Sequence, residues 1–379
     1  MTTRKRMAAA AGILLMSGLT AFAQTTTPPP QTFATTIYFD WTTNATNNGY
    51  LTGTDAAKLL SNKFAFRRAY FTYENKINDF LKFRFRIDAD NQNNVTSVNF
   101  KSSSVSQDNK MRPFVKHLYL DWAGLLPDSS LKVGMVDTLP FKLAEDRWGY
   151  RSVAKTLADI YKDITGINIR CSSADLGLNF QVPVNQYIRL ATMIVNGDGY
   201  GSVASSKFRK IGGQVQIIPV AGLNFVGYYE VEDRPATSAM IAAGSKSYDS
   251  AGTAKMMKGD VFFDMIENLN VSFEWFNYDN PTFLYKDAVG NSIHYKTGGW
   301  SVFGTYKIIV DKLNAFARYD SYAPDSTQSL KNQGLAIVGL DWAPVHTSWK
   351  IQPNVWFYSY KDAAKKSDIV ANLTFFLSF

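Results

Sequence analysis

Leu81-Lys82-Phe83-Arg84-Phe85-Arg86-Ile87-Asp88 alternates without a fault, with apolar side chains at the odd positions and charged ones at the even. Successive side chains of a β-strand point to opposite faces, so this octapeptide is a strand with one apolar face and one charged face. In a soluble sandwich the charged face would meet water outside. In a closed membrane barrel it lines the lumen, and the apolar face meets lipid. The octapeptide serves both readings, and the rest of the chain decides between them.

The same period-two pattern recurs sixteen times, from Phe33–Trp41 to Val370–Phe379, and includes Phe64–Glu74, Lys258–Asp264, Asn270–Tyr278 and Gly298–Ile308. An even number of strands, each near the ~9–11 residues of a tilted membrane strand, suits a closed antiparallel barrel. The connections alternate as well. Tight links such as 75–79, 182–186, 219–222, 265–269 and 344–348 follow even-numbered strands, and long ones at 42–63, 89–113, 137–173, 231–257 and 279–297 follow odd-numbered strands. Short turns at one rim and long loops at the other are the habit of bacterial outer-membrane barrels. The fold expected is therefore an all-β, sixteen-stranded transmembrane barrel spanning residues 33–379.

The N-terminus carries a different signal. Arg4, Lys5 and Arg6 precede an apolar run from Met7 to Leu19 and the small-residue exit Ala21-Phe22-Ala23. That is the pattern of a secretory signal peptide over residues 1–23, with a mature chain beginning near Gln24 and a polar lead over 24–32. The apolar run is shorter than the ~20 residues a membrane-spanning helix needs. Without Arg4, Lys5 and Arg6, 37 Lys and Arg remain against 32 Asp and Glu, a surplus of +5 that hints at anion preference. Cys171 is the only cysteine, so no intramolecular disulfide can hold the fold and strand pairing must do so.

Several short stretches resemble the bacterial porin superfamily, and within it the phosphate-selective porin O and P family. They are Phe66-Arg67-Arg68-Ala69-Tyr70 leading into Lys82–Asp88, Val133-Gly134-Met135 with Leu139-Pro140-Phe141, and Gly298-Gly299-Trp300. The resemblance implies a sixteen-stranded homotrimer that passes small hydrophilic solutes, with inorganic anions such as phosphate among the candidates. The closing segment, with Ala371, Leu373, Phe375, Leu377 and Phe379 on one face, resembles the C-terminal signal read by the barrel-insertion machinery, Phe379 being its last residue.

Strand parity assigns the lumen face. Lys82, Arg84, Arg86, Lys132 and Arg189 should point inward, because their apolar neighbours need the lipid face and a charge facing lipid near mid-bilayer costs ~2–4 kcal/mol. Asp88, Asp121 and Glu274 are expected inward too, and of the adjacent Arg67 and Arg68 only one. The third outer loop departs from the strand pattern over Phe141–Ile164, where Trp148, Val153, Leu157 and Ile160–Tyr161 sit at helical spacing. A short helix is expected there. If the loop folds into the lumen, Glu145, Asp146, Arg147, Arg151 and Lys155 supply charges to a constriction.

Other functions find little support in the residues. His117, His294 and His346 are the only histidines, with His117 expected in the lumen and His294 in a loop, and no nucleophile-histidine-acid spacing suggests a hydrolase. The run Asp88–Asn94 lacks the glycine and closing glutamate of a calcium loop and reads as a polar outer loop. No cofactor or metal is implied, and export removes the chain from nucleic acid. The expectation is a non-enzymatic diffusion channel in the outer membrane; the alternative is an exported β-sandwich that binds a glycan or another polymer.

Overall fold

The computed structural model describes residues 31–44, 63–90, 94–99, 104–108, 112–160, 172–201, 208–235, 244, 246, 250–286 and 292–379. The strands are β1 (Gln31–Asn44), β2 (Lys63–Lys76), β3 (Leu81–Asp90), β4 (Asn94–Asn99), β5 (Ser104–Asp108), β6 (Arg112–Ala123), β7 (Ser130–Asp137), β8 (Ala174–Pro183) and β9 (Ile188–Val195). They continue as β10 (Lys210–Val220), β11 (Leu223–Pro235), β12 (Ser250–Ile266), β13 (Leu269–Lys286), β14 (Ser292–Ile309), β15 (Leu313–Ala323), β16 (Gln333–Trp342), β17 (Trp349–Tyr360) and β18 (Asp368–Ser378). All except β4 and β5 pair antiparallel with their neighbours around one closed sixteen-stranded barrel, in which β18 returns to β1. All sixteen expected strands are present. The segment read as a plain polar loop after β3 instead holds the separate hairpin β4–β5. His294, expected in a loop, lies within β14, and β12, β13 and β14 run well past their expected ends.

Closure is completed by the last residue. Phe379 N–H donates to Thr35 O at 2.9 Å, and Thr35 N–H donates back to Phe379 O at 2.6 Å. At the rim of short turns the chain reverses within a few residues, and Asp128, Asn268 and Asp311 take positive φ there. Asp and Asn tolerate that left-handed conformation better than other side chains with a Cβ, which is why they mark tight turns.

The side-chain distribution is inverted relative to a water-soluble protein. Leu118, Val133, Leu178, Val215, Phe225 and Val338 are each more than 40% exposed on the outer surface, while Asp88, Lys116, Glu230, Lys258, Glu274 and Arg318 are buried inside. A sandwich in water buries the opposite set. Closure and inversion together exclude the sandwich architecture and make the outer surface one that suits lipid.

Candidate functional site

The connection after β7 does not stay at the rim. Pro140 begins helix α1 (Leu139–Trp148), whose last turn is closed by Gly149 at φ 68°, with Gly149 N–H donating to Glu145 O. That left-handed position strains any residue with a Cβ. The chain then turns and enters α2 (Leu157–Ile160). The single helix suggested by the spacing of Trp148, Val153 and Leu157 is thus two pieces broken at Gly149, while Tyr161–Ile164 lie outside the described residues, as does Cys171.

Contacts show where this connection goes. The Trp148 ring meets Phe303 of β14 and Phe316 of β15 edge-on at 5.5 and 5.9 Å, and Tyr150 stacks on Phe316 at 4.3 Å. Ser152 Oγ donates to Gln352 Oε1 of β17 at 2.6 Å, and Leu157 N–H donates to Glu274 Oε2 of β13 at 3.3 Å. Arg318 Nη1 of β15 donates to Lys155 O at 2.6 Å, and Arg147 forms an ion pair with Asp264 of β12. From β2, Arg67 donates to Ser152 O at 2.6 Å and to Val153 O at 2.8 Å. A segment rooted between β7 and β8 therefore crosses the lumen. On the far wall it forms a dry core with Met193, Tyr228, Met256, Phe276, Phe303, Phe316 and Leu335.

The opposite wall, built by β2, β3, β6 and β7, stays polar. Two irregularities concentrate cations there. Register shifts between Tyr38 and Phe39 of β1, so that Tyr38 pairs with Arg68 and Phe39 with Phe66, leaving Arg67 as an extra residue. The same happens on β6, where Arg86 pairs with His117 and Ile87 with Val115, leaving Lys116 extra. A bulge suspends strict alternation. The expectation that only one of Arg67 and Arg68 points inward is thereby corrected. Arg67 reaches loop carbonyls and Asp40, at 3.2 Å, while Arg68 pairs with Asp88 and Asp90 at 3.2 and 3.1 Å. Lys116 and His117 likewise both face in, Lys116 Nζ lying 3.5 Å from Asp88 and His117 Nε2 lying 3.1 Å from Asp137.

Between this wall and α1 lies a cavity of about 220 Å³ lined by Arg84, Arg86, Lys116, His117, Asp137, Lys142, Glu145, Asp146 and Arg151 among others. Of the residues expected at a constriction, Arg84, Arg86, Glu145, Asp146 and Arg151 meet here. Lys132 stands beside them through Asp137, at 3.0 Å. Lys82 is exposed on β3 near the short-turn rim, and Arg189 lines a separate, larger cavity below α1. Arg147 turns to β12, and Lys155 pairs with Asp159 at 3.2 Å. Lys116 and Lys142 were missed. Lys116 is masked by its bulge, and Lys142 carries no parity signal on a helix.

Most of these charges are neutralised locally. Arg84 pairs with Glu74 at 2.5 Å, Lys142 with Asp146, and Arg151 with Glu145 and Asp159 at 2.9 and 3.0 Å. Arg86 is different. Its Nε donates to Thr72 Oγ1 at 2.8 Å and its guanidinium lies 5.2 Å from the Tyr70 ring centroid, but no carboxylate among the described residues pairs with it. Three cations, Arg68, Arg86 and Lys116, surround Tyr70, whose hydroxyl oxygen accepts from Arg68 and Lys116. Within the loop, burial opposes ionisation of Asp159, but Arg151 and Lys155 outweigh it and hold the carboxyl below its ordinary range.

No family model matches the sequence, and no curated protein matches it. Solved structures do match in fold. The outer membrane channel DcaP of Acinetobacter baumannii superposes with a TM-score of 0.60 at 13% identity, over 95% of this chain and 100% of that one. OmpF of Salmonella typhi in complex with daunomycin gives 0.57 at 12%, over 93% and 98%. The anion-selective porin from Comamonas acidovorans gives 0.57 at 12%, over 92% and 99%. At these identities the likeness establishes the porin-type barrel.

Proposed function

We propose that the chain is an outer-membrane pore through which small hydrophilic solutes diffuse, with a preference for anions. The observation that carries this reading is Arg86, which lines the polar cavity beside the inserted segment and has no acidic partner among the described residues. The cavity beside it is lined by five Lys and Arg against three Asp and Glu. Cations around a passage select anions by their field. Inorganic phosphate and chloride are the simplest solutes this field would admit, and two of the superposed structures are an outer membrane channel and an anion-selective porin.

The rest of the proposal follows from the sequence. Residues 1–23 are removed on export, the polar lead that follows runs into β1 at Gln31, two residues before the expected start of the barrel, Phe379 closes a segment read by the insertion machinery, and the barrel sits in outer-membrane lipid as a homotrimer. The test is reversal potential across a salt gradient with the purified protein in a planar bilayer. Stepwise conductance with an anion-biased reversal supports the proposal. A cation bias overturns the selectivity, and a folded barrel that passes no current overturns the pore.

A further inference from the structure

Below α1, toward the short-turn rim, the lumen opens into a second cavity of about 780 Å³, within the ~300–1,000 Å³ span of small-molecule sites. Its chemistry differs from that of the constriction. The wall is supplied by β8, β9 and β10, which present the carboxamides Gln181, Gln214 and Gln216 together with the guanidinium of Arg189; Lys142 reaches in from the roof, and Asp128 contributes one carboxylate from the turn before β7. Gln181 Nε2 donates to Asn179 Oδ1 at 3.2 Å and Gln216 Nε2 donates to Asn224 Oδ1 at 2.9 Å. Each bond fixes a glutamine while leaving its carbonyl oxygen and second N–H for a solute. Gln214 has no side-chain partner among the described residues, and Arg189 pairs with no carboxylate among them.

A row of neutral amides beside a guanidinium that has no carboxylate partner among the described residues, with Lys142 held by Asp146 and Asp128 adding a negative charge, is poorly matched to a bare inorganic anion, which needs several charges or donors converging on one point. It matches a molecule that offers many hydroxyls and one acidic group. Amides exchange hydrogen bonds with hydroxyls at little desolvation cost, and a guanidinium takes a carboxylate or phosphate as a fork. We infer that this chamber is a weak subsite for hydroxyl-rich organic anions, sugar acids or sugar phosphates, that have passed the constriction. The inference rests on the pore reading and narrows its substrate class. Weakness is part of the function, since a channel site must release what it binds.

The probe is gluconate, compared with acetate, which has the charge without the hydroxyls, and glucose, which has the hydroxyls without the charge. Added at equal concentration during single-channel recording in potassium chloride, gluconate is expected to block at least tenfold more strongly than either. Gln214→Leu combined with Gln216→Leu is expected to reduce that block about tenfold, and Arg189→Gln to bring gluconate down to the level of glucose. Equal block by acetate and gluconate, or an unchanged block in the double variant, overturns the subsite while leaving the pore intact. A barrel that passes no current overturns the pore reading instead. The subsite is then decided by saturation-transfer NMR of gluconate on the detergent-solubilised barrel, where absence of transfer overturns it.

Discussion

The two faces of the connection after β7 could hardly differ more. Toward β12–β17 it buries Trp148, Tyr150, Val153 and Leu157 against aromatic side chains, and Ser152, Lys155 and Leu157 hydrogen-bond to the wall. Toward β2, β3, β6 and β7 it leaves a polar gap lined by Arg86, whose guanidinium pairs with no carboxylate among the described residues. One side of the lumen is therefore filled by a packed core that also buries the ion pairs of Lys258, Glu274 and Arg318, and the open polar cavity lies on the other side. A barrel of sixteen strands is wide enough to conduct across its whole width. Here an inserted segment narrows it by packing onto one wall.

Breaking the dry side should give the largest effect. Trp148→Ala removes the ring that touches Phe303 and Phe316, a loss of about 3–5 kcal/mol for a buried aromatic truncation. Release of the loop is expected to raise single-channel conductance severalfold and add open-state noise, while the barrel itself still folds. Arg67→Ala cuts the tether on the wet side, where hydrogen bonds from a charged group contribute about 1.5–3 kcal/mol. A smaller rise in conductance is expected, with flickering.

Arg86→Glu leaves the packing alone and changes the field. Reversal potential in a salt gradient should move from anion-biased toward neutral or cation-biased, with conductance altered less than twofold. Arg318→Gln, on the packed wall, loosens the loop at Lys155 O and takes from the buried Asp320 its partner at 2.7 Å, so it should act mainly on the packing and shift the reversal potential less than Arg86→Glu. Equal shifts from both variants would dissolve the distinction between the two sides.

The smallest effect concerns acid. Because Asp159 titrates below its ordinary value of 3.8, its contribution to holding the loop is complete above that value and is lost only as the pH falls through the lower value it has in the fold. The difference in conductance between the native chain and Asp159→Asn should therefore be constant from pH 7 down to 3.8 and shrink below it.

The barrel was legible because lipid outside and water inside impose a strict alternation, and Leu81–Asp88 obeys it residue by residue. The lining of the polar cavity was half legible. Arg84 and Arg86 obey parity and were found, but Arg67 and Lys116 stand on bulges, where a local extra residue defeats a rule that counts by twos. The loop's path was hidden for another reason. Helical spacing in Trp148, Val153 and Leu157 reports which residues seek burial, but not which wall buries them, and Gly149 breaks the helix that the spacing suggested.

The central claim is that the passage runs along β2, β3 and β6 and not along β12–β17. Cysteine accessibility tests it directly, in a Cys171→Ser background, with Arg86→Cys on the wet side and the nearly isosteric Ser301→Cys, fully buried on β14, on the other. A charged methanethiosulfonate reagent added to the open channel is expected to modify Arg86→Cys within seconds and step the current down, while Ser301→Cys stays unmodified over the same time. Rapid modification of Ser301→Cys with Arg86→Cys protected would place the passage on the other side of the loop and contradict the account.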